Sequence, residues 1–263
     1  FKAGKISLPM GMENGAPFGK DISNIKYFFD RGIRYVTLTH GKDNQICDSS
    51  YDTTYTWNGL SQFGEQVVKE MNRVGIMVDI SHVDDSAFYD VMKIAKAPAI
   101  ASHSSCRYFT PGFRRNMTDD MIKTLAKNGG VIQINFGASF LDSAVRANKV
   151  MVDSLGKVLK AKGLISREEA AKEVIAQFGP HKNFYSDVER VADHIDHVKD
   201  IAGVDHVGLG SDFDGVDDSL PEGLKDVSMY PNLIYVLLKR GYTEEEIQKI
   251  CSGNVFRVWN KVI

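Results

Sequence analysis

The chain has 263 residues, with 34 acidic and 32 basic side chains and a formal net charge of −2 at pH 7. Hydrophobic residues make up 43% of it and charged residues 25%, proportions typical of a globular enzyme. The near-neutral balance gives no reason to expect nucleic acid as a partner, and three cysteines without CxxC spacing argue against a zinc ribbon or a disulfide framework. We expect one domain over residues 1–263, because this length can bury a single large core.

Short apolar, β-branched runs alternate with amphipathic stretches, the pattern of strand–helix units around a parallel sheet. The predicted strands are Lys5–Met12, Ile33–Thr39, Gly75–Ile80, Ala97–Ser102, Gly130–Asn135 and His206–Gly210. The predicted helices between them are Asp21–Arg31, Ser61–Val74, Asp84–Lys96 and Thr118–Asn128. Ser61 and Thr118 are expected N-caps, and Gly75 and Gly129 are expected to end the preceding helices.

The last part of the chain is predicted to be mainly helical. A long helical insert covers Asp142–Asp200, with breaks near Gly163 and Gly179-Pro180, and two C-terminal helices cover Pro231–Arg240 and Thr243–Cys251. Six strands would satisfy an open doubly wound sheet, whereas a closed eight-stranded barrel needs two more. The pattern alone leaves both α/β architectures open.

Polar side chains stand where the predicted strands end. In chain order they are Glu13, His40, His82, His103, Gln133 with Asn135, and Asp212. In a parallel barrel the carboxyl ends of the strands meet at one rim, so these side chains should converge. Zinc binds imidazole nitrogens and carboxylate oxygens, and His82, His103 and Glu13 therefore predict a metal site. The remaining histidines, His181, His194, His197 and His206, are expected to lie at the surface or in packing.

Two short stretches near this rim invite other interpretations. In His82-Val83-Asp84 we expect only His82 to bind metal and Asp84 to cap the following helix. The stretch 208–215 lacks the GxGxxG spacing of a nucleotide loop, because Phe213 stands in place of the last glycine. Its glycines are interpreted as room for close backbone approach, Asp212 as a carboxylate directed into the site, and Asp214 as structural.

Three arginines, Arg107, Arg114 and Arg115, lie in the loop after the His103 strand. A guanidinium can bind a carboxylate through two parallel hydrogen bonds. We expect one of the three to bind a substrate carboxylate, although a surface role is the ordinary one for any single arginine.

Several of these stretches, in this order, resemble the renal (membrane) dipeptidase family, metallopeptidases of the amidohydrolase superfamily. The matching motifs are 12–15 (MENG), 34–40 (RYVTLTH), 78–82 (VDISH), 102–105 (SHSS), Arg115-Asn116, 210–215 (GSDFDG) and 253–259 (GNVFRVW). The resemblance implies an α/β fold, a (β/α)8 TIM-type barrel of which this chain supplies about six strands, the third to the eighth, with the helical insert and C-terminal helices. Asn14 stands where relatives often have glycine.

The resemblance also implies a chemistry for the strand-end residues. Two zinc ions would be bridged by Glu13, and His82 and His103 would complete the shell of one of them. His40 would contact the scissile group, Arg115 would hold the carboxylate of a dipeptide substrate, and Asp212 would handle the proton. A metal-bound hydroxide would then hydrolyse the peptide bond. Relatives are often homodimers, and many bacterial ones are exported, so a dimer and an extracytoplasmic location are expected.

The chain departs from the family pattern at its front. The family's first strand ends in a His-x-Asp pair that binds the second zinc, and no such strand precedes Glu13. The first two strand–helix units are therefore expected to be missing from these residues, and the pair to come from upstream sequence or another chain. Two other functions stay open: another metal hydrolase of this barrel type, acting on a lactone, cyclic amide or phosphoester, and a non-catalytic barrel.

Overall fold

The computed structural model describes residues 9–161, 163, 172–173, 176, 185–216 and 219–263. Six parallel strands form one sheet in these residues, and they are ordered in the sheet as they are in the sequence. They are β1 (Met10–Glu13), β2 (Ile33–Thr37), β3 (Met77–Asp79), β4 (Ile100–Ser104), β5 (Val131–Ile134) and β6 (Val207–Leu209). A doubly wound sheet reverses its strand order at a switch point. The sequential order is instead that of a barrel wall, which decides between the two predicted architectures.

The helices between the first five strands begin and end close to the predicted positions. They are α1 (Ser23–Asp30), α2 (Gln62–Val74), α3 (Asp85–Ile94) and α4 (Asp119–Lys127). Side-chain oxygens of Ser61, Asp84 and Thr118 accept hydrogen bonds from backbone N–H groups in the first turns of α2, α3 and α4. Gly75 ends α2 with φ of 94°, a left-handed conformation that glycine adopts without strain. These predictions of caps are confirmed.

The later helices vary from 4 to 19 residues in length and include two that the sequence pattern does not predict, the first and the last of them. They are α5 (Ala138–Leu141), α6 (Ser143–Ala161), α7 (Val188–Ala202), α8 (Tyr230–Lys239), α9 (Glu244–Gln248) and α10 (Asn254–Val262). The predicted helix ends at Cys251, but a π-helical turn over Lys249–Gly253 connects α9 to α10. Gly253 has helical dihedral angles there, so it continues the helix that a glycine would ordinarily end. The predicted break at Gly179-Pro180 lies outside the described residues.

Four strands lie within their predicted bounds, and the other two extend beyond them. The predicted strand Ala97–Ser102 begins later, at Ile100, because Pro98 has no N–H to donate and the amides on either side of it are bonded to the side chains of Asn72 and Asn128. The strand also continues to Ser104, two residues beyond its predicted end, and so includes His103. Of the predicted strand Lys5–Met12, residues 5–8 lie outside the described part, and β1 extends to Glu13.

Neighbouring residues along each strand face opposite sides of the sheet. The larger cluster of buried apolar side chains includes Val78, Ala101 and Ile132, whereas their neighbours Met77, Ile100 and Val131 pack against Val258 and Val262 of α10. In the described residues the sheet is not closed, since β1 and β6 each pair with a single strand. The described part of the chain also holds no helix with the length and apolar character needed to cross a bilayer.

Candidate active site

Three side chains from three strand ends converge at one rim of the sheet. Oε1 of Glu13, at the end of β1, lies 3.1 Å from Nε2 of His82 and 3.2 Å from Nε2 of His103. The two Nε2 atoms are 3.0 Å apart. His82 follows β3, and His103 lies near the end of β4. The structure thus brings together the three residues predicted as metal ligands.

His40 lies at the edge of this cluster. Its Nε2 is 3.8 Å from Oε1 of Glu13, and its ring centroid is 4.4 Å from that of His82. Glu13, His40 and His82 offer ligand atoms that all lie within 4.8 Å of one another, so distance alone does not separate His40 from the ligands. Exposure does separate the histidines, because 52% of the His40 side chain is exposed and only 7% of His82. The exposed imidazole is the one that an incoming molecule can reach.

Three residues of the rim have backbone conformations that non-glycine residues rarely adopt. Asn14, His82 and Asp212 have φ of 79°, 68° and 57°. Such left-handed residues cost roughly 1–3 kcal/mol each and occur mainly at functional sites. Asparagine tolerates this conformation better than most residues, which fits the asparagine at position 14. Its Oδ1 accepts hydrogen bonds of 3.0 Å from the Ala16 amide and the Asn44 side chain, which fixes the loop after Glu13.

The charges of the cluster suit a divalent cation. The imidazoles of His103 and His82 stabilise the Glu13 carboxylate and hold its pKa well below the usual range. Burial, and then the positive charge of Arg115, lower the pKa of His82 to about 3. At neutral pH the cluster therefore combines a carboxylate with a neutral imidazole, the protonation states that metal coordination requires. This donor set fits zinc.

The structure separates the three arginines of the loop after β4. Arg107 forms a bidentate ion pair with Asp85, with N–O distances of 2.7 and 2.6 Å. Arg114 pairs with Asp84, the cap of α3. Both guanidinium groups are thus neutralised by carboxylates at the start of one helix, which leaves Arg115 as the candidate for binding a substrate.

Arg115 is only 3% exposed, yet no carboxylate of the described residues lies within ion-pairing distance of it. Its Nη1 donates to Oγ of Ser104 over 2.7 Å, and its Nη2 donates to the carbonyl oxygen of His103 over 2.8 Å. Nε is buried and has no hydrogen-bond partner among the described residues, and burial lowers the pKa of the guanidinium. A buried cation with an unused donor is a group that an anionic ligand would stabilise.

Asp212 reaches the same space from the opposite edge of the sheet. It follows β6, and its Oδ2 accepts a hydrogen bond of 2.8 Å from Nδ2 of Asn135, the residue after β5. Asp212, Glu13 and His103 line one cavity of about 430 Å³. The carboxylate predicted to handle the proton therefore shares a cavity with two of the predicted metal ligands.

The loop that carries Asp212 depends on a glycine. A Cβ atom at Gly210 would lie 2.2 Å from the carbonyl oxygen of Ser102 and 2.8 Å from that of Gln133. No side chain fits there, so the interpretation of this glycine as room for close backbone approach is confirmed. Asp214 is exposed in the same loop.

Sequence reasoning missed one buried carboxylate beside the site. Asp79 has no exposed surface and accepts four hydrogen bonds: from the hydroxyls of Thr37 and Ser102, at 2.5 and 2.6 Å, and from the amides of Ser81 and Ser102, at 3.0 and 2.9 Å. A carboxylate at the end of an otherwise apolar strand was the available signal, because aspartate is rarely buried without partners.

The other histidines lie away from the cluster, as expected. In the described residues His194, His197 and His206 each form a hydrogen bond outside the site. Their partners are the carbonyl oxygen of Leu141, the carboxylate of Asp119 and the carbonyl oxygen of Gly130, respectively. His181 lies outside the described residues.

Comparison with known proteins connects this geometry to a family. The family model described as membrane dipeptidase (peptidase family M19) matches residues 1–263. The protein named uncharacterized dipeptidase C965.12, from Schizosaccharomyces pombe, is 35% identical over 261 residues, which are 98% of this chain and 53% of that protein. The chain therefore spans about half the length of this curated relative.

Solved structures show the same fold. The probable dipeptidase PvdM from Pseudomonas aeruginosa superposes with a TM-score of 0.82 at 28% identity, covering 99% of this chain and 70% of that one. A metallo peptidase from Rhodobacter sphaeroides, liganded with a phosphinate mimic of the dipeptide L-Ala-D-Ala, gives a TM-score of 0.75 at 27% identity, covering 97% and 63%. The six sequential strands are thus part of a TIM-type barrel, and since the family model matches every residue, the chain belongs to the membrane dipeptidase family.

Proposed function

We propose that the protein containing this chain is a zinc-dependent dipeptidase, which hydrolyses the peptide bond of free dipeptides. The observation that supports this most is the position of Arg115 beside the cluster of Glu13, His82 and His103. A metal-binding cluster alone is compatible with many classes of hydrolase and does not identify the substrate. A buried cation next to that cluster, with no carboxylate partner in the part of the chain that the structure describes, favours a substrate whose free carboxylate is close to the bond that breaks.

Glu13, His82 and His103 are the residues that would hold a zinc ion. A bound zinc ion supplies a Lewis acid and lowers the pKa of coordinated water towards ~7. Glu13 has a second carboxylate oxygen, so it is also the proposed bridge to a second ion. The His-x-Asp pair for that second ion would come from a segment beyond these residues or from another chain.

The chain's own side chains would position the substrate and move the proton. Arg115 would bind the substrate's carboxylate and so hold the peptide bond at a fixed distance from the cluster. His40, exposed at the rim, would donate to the carbonyl oxygen as negative charge develops on it. Asp212 would accept the proton of the attacking water and pass it to the leaving amine. The hydrogen bond from Asn135 keeps the Asp212 carboxylate turned towards the cavity.

The relatives support this proposal by their names and by one ligand. The Rhodobacter sphaeroides peptidase holds a phosphinate mimic of a dipeptide, and the proteins from Schizosaccharomyces pombe and Pseudomonas aeruginosa carry the name dipeptidase. Because the chain spans only part of each of them, the proposal concerns the whole protein. Assembly as a homodimer and an extracytoplasmic location stay predictions from the family resemblance.

The proposal can be tested on the full-length protein with a substrate panel and metal analysis. Free dipeptides should be hydrolysed, whereas lactones, cyclic amides and phosphoesters should not be hydrolysed. The dipeptidase activity should be lost when a chelator removes the metal and restored when zinc is added. His82→Ala should lose bound zinc and activity together. His197→Ala is a matched control, because its imidazole pairs with Asp119 outside the site, and it should retain both. Turnover of a lactone or phosphoester in place of dipeptides, or full zinc content in His82→Ala, would contradict the proposal.

A further inference from the structure

Behind His103, on the side of the ring away from Glu13, two hydrogen bonds lead to a buried carboxylate. Nδ1 of His103 lies 2.7 Å from Oγ of Ser102, and this hydroxyl lies 2.6 Å from Oδ2 of Asp79. Asp79 ends β3, and the other two residues are neighbours in β4. The carboxylate touches neither Glu13 nor the open side of the rim, so it acts on the cluster only through His103 and its neighbours.

The direction of these hydrogen bonds follows from counting protons. A serine hydroxyl has one proton to donate, and a carboxylate can only accept. The Ser102 proton therefore points to Asp79, and its oxygen presents a lone pair to His103. Nδ1 of His103 must then carry a proton. A neutral imidazole has a single N–H, so Nε2 of His103 carries a lone pair instead. That atom lies 3.2 Å from Oε1 of Glu13 and 3.0 Å from Nε2 of His82, so in the metal-free protein the proton between these three atoms comes from Nε2 of His82.

Asp79 is held so that it cannot turn away from Ser102. Its Oδ1 accepts from the amides of Ser81 and Ser102 at 3.0 and 2.9 Å, and Thr37 donates to the same Oδ2 as the Ser102 hydroxyl does, over 2.5 Å. The donors come from β2, from the residues just after β3, and from β4. Two strands and the turn after β3 thus fix one carboxylate, and through it one hydroxyl.

We propose that Asp79 and Ser102 are positioning residues for the candidate metal centre. They hold His103 in the tautomer with Nδ1 protonated and direct its Nε2 lone pair at the space shared with Glu13 and His82. This inference rests on the proposed metal site and adds two residues that touch neither metal nor substrate. Partners of metal-bound histidines commonly orient the ring and raise its basicity, and their loss typically costs 10- to 100-fold in metal affinity.

His82 is held by different means. Its Nδ1 is buried and has no hydrogen-bond partner in the described residues, and its backbone is in the left-handed region, with φ of 68°. The direction of that ring is therefore set by the turn after β3. Only for His103 does a hydrogen bond choose which nitrogen faces Glu13, so the effect of Ser102 should be specific to His103.

The test uses the full-length protein with ¹⁵N-labelled histidine. The His103 tautomer is read by NMR in the metal-free protein, and zinc affinity by competition with a chelator. In the wild type we expect protonated Nδ1. Ser102→Ala should give a mixture of tautomers and zinc affinity about 10- to 100-fold weaker, and Ser102→Thr, which keeps the hydroxyl, should restore both. Thr37→Val is the matched control, because it removes the other hydroxyl from Oδ2 of Asp79 and leaves the Ser102–His103 bond in place.

Each outcome decides for or against the positioning role. Protonated Nε2 on His103 in the metal-free wild type would overturn it even if zinc binds, and the proposed function would then still stand. Equal losses of zinc affinity in Thr37→Val and Ser102→Ala, with the tautomer unchanged, would assign Ser102 to the packing of Asp79 alone. If Ser102→Ala does not fold, the wild-type tautomer and Ser102→Thr still give the answer. A wild type that binds no zinc would overturn the proposed function as well.

Discussion

Nη2 of Arg115 donates a hydrogen bond to the carbonyl oxygen of His103 over 2.8 Å, so the candidate substrate clamp and a candidate metal ligand share one anchor. Nη1 is tied to Ser104, the next residue of the same strand. Any movement of this strand end would carry the guanidinium and the imidazole together. The distance between the carboxylate-binding and metal-binding parts is therefore fixed, which favours substrates of one length.

Removing this clamp should weaken catalysis without removing metal. We expect Arg115→Ala to lower kcat/KM for free dipeptides, because a charge-assisted contact to a buried cation is lost. The loss of transition-state stabilisation should be on the order of 2–4 kcal/mol. Amidating the substrate's carboxyl group should cause a similar loss in the wild type and little further loss in the variant. Arg114→Ala, next in sequence but paired with Asp84, should respond to amidation as the wild type does. Additive losses in Arg115→Ala would show that Arg115 does not bind that carboxylate.

Removing the charge of Asp212 should slow the chemical step. We expect Asp212→Asn to lower kcat by about 10²–10⁴-fold, the usual contribution of a general acid–base group, with zinc content unchanged. Asp214→Asn is the control, because Asp214 is exposed two residues further along the same loop. Steady-state kinetics with zinc analysis would check both variants, and a normal kcat in Asp212→Asn would exclude the proton-carrying role.

The convergence of the metal ligands could be predicted because strand ends in a parallel barrel share a rim. Once Glu13, His82 and His103 were placed at strand ends, no further tertiary detail was needed. The choice of Arg115 over its neighbours could not be made that way. It depends on Asp84 and Asp85, which neutralise Arg114 and Arg107 from the start of another helix, and a single sequence does not show which helix faces the loop.

The link from Asp79 to His103 could not be predicted either, because it depends on strand register. Asp79 pairs with Ile100 in the sheet, and this places Ser102 where its hydroxyl and amide both reach the carboxylate. A shift of the pairing by one residue would turn the hydroxyl to the other face. The sequence shows each residue of this network, but it does not show the strand register that brings them into contact.

Acid should destabilise the fold through a histidine outside the site. Burial lowers the pKa of His194 to about 3, against roughly 6.5 in an unfolded chain. Between these values the unfolded chain binds a proton that the folded chain does not, so the free energy of unfolding falls as pH falls from ~6.5 towards ~3. Above pH ~6.5 this histidine is neutral in both states and no longer lowers the free energy of unfolding. Below that pH the free energy of unfolding changes by at most ~1.4 kcal/mol per pH unit because of it.

Urea unfolding of wild type and His194→Gln at several pH values would check this. The wild type should be the more stable at pH 7, since Nδ1 of His194 accepts from the amide of Cys106 over 3.1 Å in a fully buried position. The difference between the two proteins should narrow as pH falls through the window. A difference that stays constant with pH would contradict the assignment.

The two unpaired edges of the sheet predict that these residues aggregate when they are expressed on their own. In the described part β1 and β6 each lack a second neighbour, and Met10 of β1 is 50% exposed. Unpaired edges of a barrel wall promote association. We expect residues 1–263 expressed alone to aggregate, and added strand–helix units carrying a His-x-Asp pair to restore a cooperative melt and zinc binding. Size-exclusion chromatography, thermal melting and zinc analysis of both proteins would check these two expectations. A monomer with two zinc ions and dipeptidase activity would contradict it.

Because each strand pairs with the strand made just before it, the sheet can grow from its N-terminus while the ribosome is still adding residues. Ile100 of β4 pairs with Val131, only 31 positions later, whereas Ile132 of β5 pairs with Val207, 75 positions later. Closing the longer loop costs more entropy and brings its ends together later. All three proposed metal ligands emerge before the insert, and Asp212 emerges after it. During synthesis the proposed metal-binding half of the site can therefore form first, before the ribosome has made the carboxylate that is proposed to move the proton.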